Sequence, residues 1–228
     1  MSRILNVVRL QLVNKMTWVW VPLIILGGAS VLSIVIFAMI PFDVPKYSGA
    51  GQAPLWYFFA LGLQALTLTF PFSQALSVTR RDFFLGTLST AVLGSAALSA
   101  VFLLGGWIED ATNGWGANGF LFRVPWMWQA GPLTVWLSYF ALGLLLFLLG
   151  FTGATIYKRA GTLAVTLVGV GAGLVLVGLA FLVTRFGLWR QVGEGFATMG
   201  VLGLALWGLV AVVLLAGISY LVLRRATP

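Results

Sequence analysis

FPFSQALSVTRRDFFLGT, residues 70–87, sets a proline, a polar Ser73-Gln74 step and the cluster Arg80-Arg81-Asp82 between two long apolar runs. An Arg, Lys or Asp at the centre of a helix in hydrocarbon costs roughly 2.5–3.5 kcal/mol. The turn is therefore expected in water, with a membrane span on each side. It is too short to fold as a soluble domain, which makes it the natural place for a partner outside the membrane to take hold.

Composition agrees with a chain that lives in lipid. Of 228 residues, 61% are hydrophobic and 8% charged. A soluble domain carries roughly 25% charged residues, so this chain lacks the polar surface to face water. The expected fold class is all-α, a polytopic membrane protein with one transmembrane domain. Cysteine and histidine are absent, which removes disulfides, thiol chemistry, the commonest metal ligand and the commonest general base. The net charge of +8 suggests nucleic acid at first sight, but positive-inside topology accounts for it without any nucleic-acid partner.

Residues 1–16 place Leu5, Val8, Leu12 and Met16 at helical spacing with Arg3, Arg9 and Lys15 among them. This predicts an interfacial helix drawn to anionic lipid, with Leu5, Val8, Leu12 and Met16 as its apolar face. Six spans are expected at about 17–40, 54–76, 83–107, 132–157, 162–184 and 196–223. Pro71 should kink the second, and Asp82 is placed to cap the third. Segment 108–131, with Glu109, Asp110, two Asn-Gly steps and several tryptophans, is expected as an interfacial loop outside the membrane.

The charges then fall in two sets. Arg3, Arg9, Lys15, Arg80, Arg81, Lys158, Arg159, Arg224 and Arg225 against Asp82 lie at one face; Lys46, Arg123, Arg185 and Arg190 against Asp43, Glu109, Asp110 and Glu194 lie at the other. The first set holds the whole excess, so both termini are expected in the cytoplasm. Every ionisable Asp, Glu, Lys and Arg is expected in a loop or at a span end. No phosphate-binding G-x-x-x-x-G-K-[ST] loop occurs, and Gly169, Gly171 and Gly173 lie inside an apolar run where helix packing explains them. The chain reads as a non-enzyme without a cofactor of its own, and active transport would need energy from another polypeptide.

The run Ser77-Val78-Thr79-Arg80-Arg81-Asp82-Phe83-Phe84-Leu85-Gly86-Thr87, together with six spans and an N-terminal interfacial helix, resembles the permease subunits of bacterial ABC-2 type transporters. The topology covers nearly the whole chain; the motif covers about a dozen residues. The resemblance implies a multi-pass protein of the bacterial cell membrane, paired with a second copy or a homologous permease and bound to two cytoplasmic ATP-binding subunits that carry ATP and Mg²⁺. It places a coupling helix on Val78, Thr79, Arg80, Arg81, Asp82 and Phe83, with Lys158 and Arg159 as a second contact. It also implies short re-entrant helices between spans five and six, which the brief segment 186–196 leaves reduced or absent.

The polar inner half of span two, Gln64, Thr67, Thr69, Ser73 and Gln74, is the candidate transport path. The lack of charge within the spans points to a lipophilic or amphipathic cargo; export is the expected direction, which no residue of the chain specifies. Plainer readings stand beside these. Arg80-Arg81 is also what a topology anchor looks like, and Gln or Thr in a span also serves as helix-to-helix glue. A non-transporting interaction or immunity protein would use the same loops, and a lipid-processing enzyme would have to work through Glu109-Asp110.

Overall fold

The computed structural model describes residues 3–42 and 44–224, Arg3 by its backbone only; Asp43, Arg225 and the side chain of Arg3, all counted in the charge reading, lie outside the described residues. The architecture is all-α. Five helices among the described residues are long and apolar enough to cross a membrane: α2 (Met16–Met39), α3 (Gly49–Ala75), α4 (Arg80–Ala111), α6 (Pro132–Arg185) and α7 (Trp189–Leu223). A shorter α1 (Arg3–Val13) precedes them, and a single turn, α5 (Pro125–Trp128), precedes α6. The only sheet among the described residues is a two-residue parallel pair, β1 (Lys46–Tyr47) with β2 (Gly119–Phe120).

The core is built from α3, α4 and the first half of α6. Lipid is as apolar as leucine, so helices in it associate by close packing rather than by escape from water. Small residues supply the approach. A Cβ at Gly62 would meet the Phe147 carbonyl, and one at Gly150 would meet the Phe59 carbonyl, so α3 and α6 touch backbone to backbone. Phe58, Phe70, Phe83, Phe102, Phe147 and Phe151 fill the rest, each essentially fully buried. On α4 the buried stripe Thr87, Ala91, Ser95, Leu98, Phe102, Gly106, Glu109 recurs every three to four residues. Thr90 and Ser99 donate to carbonyls one turn back, at 2.9 and 2.7 Å, which pairs their hydroxyls where water is absent.

Two prolines distort two helices in the same way. Residues Met16–Trp20 and Ala65–Thr69 are π-helical, and each run ends one residue before an X-Pro step, Val21-Pro22 and Phe70-Pro71. Proline has no N–H and crowds the carbonyl four residues back; a wider turn relieves that contact. In α2 the Thr17 carbonyl, whose π-partner would be the missing N–H of Pro22, instead accepts the Tyr57 hydroxyl at 3.1 Å. The distortion expected at Pro71 is thus a π turn just upstream of it.

The 54-residue α6 is interrupted at Gly161 (φ 78°, ψ −176°) and α7 at Gly200 (φ 61°, ψ −176°), backbone states that favour glycine. Beyond Gly161 the chain changes character: residues 162–200 are exposed almost throughout. Pairing shows how it runs. Ala141 lies against Gly208, and the Thr152 and Ser219 hydroxyls meet at 2.6 Å. The two contacts advance by the same eleven residues, so the first half of α6 and the second half of α7 are parallel. Segment 161–200 must therefore return to the starting end. It includes a helix over 189–199 where the sequence reading left little room for one.

α1 packs differently from expectation. Its buried face is Val7, Val8 and Gln11, while Leu5, Leu12 and Met16, all expected with Val8 on one apolar face, are exposed. Val7 sits over Gly86, and the Gln11 carboxamide donates to Thr87 Oγ1 at 2.7 Å. These contacts dock α1 on the early part of α4.

Candidate functional site

The turn between α3 and α4 is held by its own residues. Ser73 is buried and donates to the Phe70 carbonyl at 2.7 Å, and its carbonyl accepts from the amides of Leu76 (3.2 Å) and Val78 (3.1 Å). Gln74 Nε2 donates to the Val78 carbonyl at 3.1 Å. Ser77 takes a left-handed φ of 56° to reverse the chain. α4 starts at Arg80, three residues before the expected start, and its N-cap is Thr79 rather than Asp82. Thr79 Oγ1 accepts from the Asp82 amide at 3.1 Å and donates to Asp82 Oδ2 at 2.8 Å. This correction follows from geometry: a cap sits outside the helix and binds the N–H of the third helical residue, whereas Asp82 is inside the first turn, where its negative charge suits the helix dipole.

Phe83 locks the turn from beneath. It is fully buried, with its ring 5.1 Å from Phe70 of the preceding helix. Phe84 reaches across to Tyr220 at 5.3 Å and Phe151 at 6.0 Å, and Arg80 Nη1 donates to the Arg224 carbonyl at 2.9 Å. The end of the last helix, the first turn of α4 and the inner end of α6 are thereby joined. Arg81, Thr79 and Arg159 are exposed, Lys158 half-buried. Arg80, Arg81, Lys158, Arg159 and Arg224 thus come to one end of the bundle, around a turn hydrogen-bonded to the end of α3 and the start of α4.

The path candidates separate. Thr67 is exposed and donates to the Leu63 carbonyl at 3.0 Å. Ser73 and Gln74 are committed to the turn. Gln64 and Thr69 line a cavity between α1, α2 and α3.

At the other end of α4 stands a group the sequence reading placed in a loop. The helix runs on to Ala111, and Glu109, in its last full turn, is fully buried. Its carboxylate accepts from the amides of Leu121 (2.7 Å), Phe122 (2.9 Å) and Arg123 (2.9 Å) and from Trp115 Nε1 (3.0 Å). Segment 112–124 is wrapped around this one side chain, with Leu121 and Phe122 buried beneath it. Lys46 Nζ adds bonds to the carbonyls of Phe37 (2.9 Å), Ile40 (3.3 Å) and Ala117 (3.2 Å). Asp110 pairs with Arg123, whose guanidinium lies 5.5 Å from the Trp128 ring centroid. Segment 108–131 is therefore a packed cap. The signal was in the spacing, since Glu109 continues the stripe through Leu98, Phe102 and Gly106, but a carboxylate beside Asn-Gly turns reads as a loop residue. Among the described residues no three metal-binding side chains come together.

No family model, curated protein or solved structure matches this chain.

Proposed function

We propose that the chain is the permease subunit of an ATP-driven ABC-2 type transporter in a bacterial cell membrane, exporting a lipophilic or amphipathic cargo. The observation that carries this reading is the jointed cationic turn Val78–Phe83: capped by Thr79, anchored by buried Phe83 and latched to the last helix by Arg80. A partner ATPase gripping such a turn moves α3, α4 and α7 as bodies, which is what coupling by rigid-body motion needs. Lys158 and Arg159 provide a neighbouring contact. ATP and Mg²⁺ belong to the partner.

In this reading the chain crosses six times, with both termini on the cytoplasmic side. Fifty-four residues of α6 extend about 81 Å at 1.5 Å per residue, against a hydrocarbon core of about 30 Å, and the break at Gly161 divides them into two crossings. The exposed helix 162–185, where Gly169, Gly171, Gly173 and Gly178 have open space around them, is the face for a second copy or a homologous permease.

The test is a pull-down of the tagged chain from mild detergent, assayed for ATPase activity, beside an Arg80→Glu/Arg81→Glu variant. An ATPase that accompanies the wild type and is lost or uncoupled in the variant is the expected result. Equal coupling in both makes the arginines topology anchors only. No ATPase under any condition removes the energy source and leaves a membrane interaction protein.

A further inference from the structure

We infer that the cavity between α1, α2 and α3 is a binding site for an uncharged amphiphile with a hydroxyl or amide head. The inference needs the chain to sit in a membrane, but it does not rest on the transporter reading.

The cavity holds about 290 Å³, at the lower end of small-molecule sites. Gln11, Asn14, Gln64 and Thr69 give it a polar side, and Trp18 and Leu68 belong to its apolar side. Its level in the bundle follows from its neighbours: Gln11 bonds Thr87, and a Cβ at Gly94 would touch Trp18. These positions are about 10–20 Å along α4 from Arg80, below the headgroups. Leu68 is largely exposed, so the cavity has an edge on the lipid-facing surface.

Three observations converge there. Gln11 is 94% buried by its 6% exposure, yet its Oε1 has no partner while its Nε2 is paired to Thr87. Turning the amide over moves the problem to the NH₂ and does not solve it. An unpaired buried polar atom destabilises the fold, and a bound hydroxyl or amide would remove that penalty. The Gln64 carboxamide, half-buried on the facing helix, makes no hydrogen bond to another described residue. Finally, both π-helical runs that end at X-Pro steps border this one cavity, through Thr17 and Trp18 on one side and Ala65, Leu68 and Thr69 on the other. A π turn is a rare geometry, and two of them widen the helices at the same place.

The head must be uncharged. Among the described residues no Lys, Arg, Asp or Glu lines the cavity, so a phosphate or carboxylate entering it would lose water without gaining a counter-ion from them. Carboxamides and a threonine hydroxyl offer donors and acceptors together, the complement of a glycerol hydroxyl pair or an amide.

The experiment is photo-crosslinking of the full chain in phosphatidylcholine nanodiscs, with a monoacylglycerol carrying a diazirine near its head and an alkyne tag. The expected label lies on residues 10–18 and 61–72, is competed by unlabelled monoolein, and resists oleate and phosphatidylglycerol. Gln11→Leu and Gln64→Leu should each lower that label about five- to ten-fold, the loss of one buried hydrogen bond, while background labelling of exposed helix 162–185 stays constant. Gln64→Leu removes no bond of the fold, so a loss of label in that variant does not reflect unfolding. Label spread in proportion to lipid exposure, equal competition by oleate or phosphatidylglycerol, or undiminished label in both variants overturns the inference.

Discussion

α4 carries Asp82 in its first turn and the buried Glu109 in its last, and the two ends are built on opposite plans. At Glu109 the chain folds over the charge: three consecutive amides and an indole enclose it, and the cap is sealed by Leu121, Phe122 and Trp128. At Asp82 the charge stays half-exposed and closes a box with Thr79, while Arg81 and Thr79 face outward. One end spends its charged group on its own structure. The other closes a hydrogen-bonded frame around Thr79 and Asp82 and leaves Arg81 exposed. The difference is one of structure: one end of α4 is enclosed and the other is left open.

Four substitutions test this contrast. Glu109→Ala should have the largest effect. It leaves three backbone amides and an indole N–H without their acceptor, and breaking a buried charged network costs about 3–5 kcal/mol. A steep fall in thermal stability in detergent, with loss of protection across 112–124 in hydrogen exchange, is expected; near-wild-type stability would make the enclosure incidental. Thr79→Ala removes an N-cap worth about 1 kcal/mol. Its melting temperature should fall modestly, while ATPase coupling falls further, because the joint and not the bundle is weakened.

Two half-buried arginines, Arg80 at one end and Arg123 at the other, separate the ends most cleanly. Arg80→Ala deletes one solvent-exposed hydrogen bond to the Arg224 carbonyl, a change of about 0.5–1.5 kcal/mol at most. It should nevertheless reduce retention of a partner ATPase in the pull-down. Arg123→Ala removes a surface ion pair to Asp110, worth about 0–1 kcal/mol, and should leave ATPase retention unchanged. If both variants retain the ATPase alike, the two ends are equivalent and the turn is not the docking site.

A second contrast, within α6, shows why reading from sequence stops where it does. Residues 132–160 and 162–185 are about equally apolar, and both contain several glycines. Gly150 nevertheless lies against the Phe59 backbone, whereas Gly169, Gly171 and Gly173 meet nothing within 4 Å. Hydropathy reports that both prefer hydrocarbon; it does not say which is covered by protein. The same limit explains α1. Leu5, Val8 and Leu12 share α1, which ends at Val13 before Met16, but the stripe that docks is Val7, Val8 and Gln11, because Gly86 and Thr87 opposite accept a small residue and a carboxamide.

The sequence alone determined an all-α chain with several long apolar helices, and a break between two of them just before Arg80. These follow from the cost of charge in hydrocarbon, a property of each residue taken singly. It also pointed to the distortion at Pro71, since a missing N–H is local. Only the tertiary structure decided that Thr79 caps α4, that Glu109 is a buried anchor, and that Gln64 shares a cavity with Gln11, fifty-three positions away in the chain. Those outcomes depend on which groups meet across helices, and in lipid, where every helix is apolar, that choice is made by shape and by the pairing of a few polar atoms.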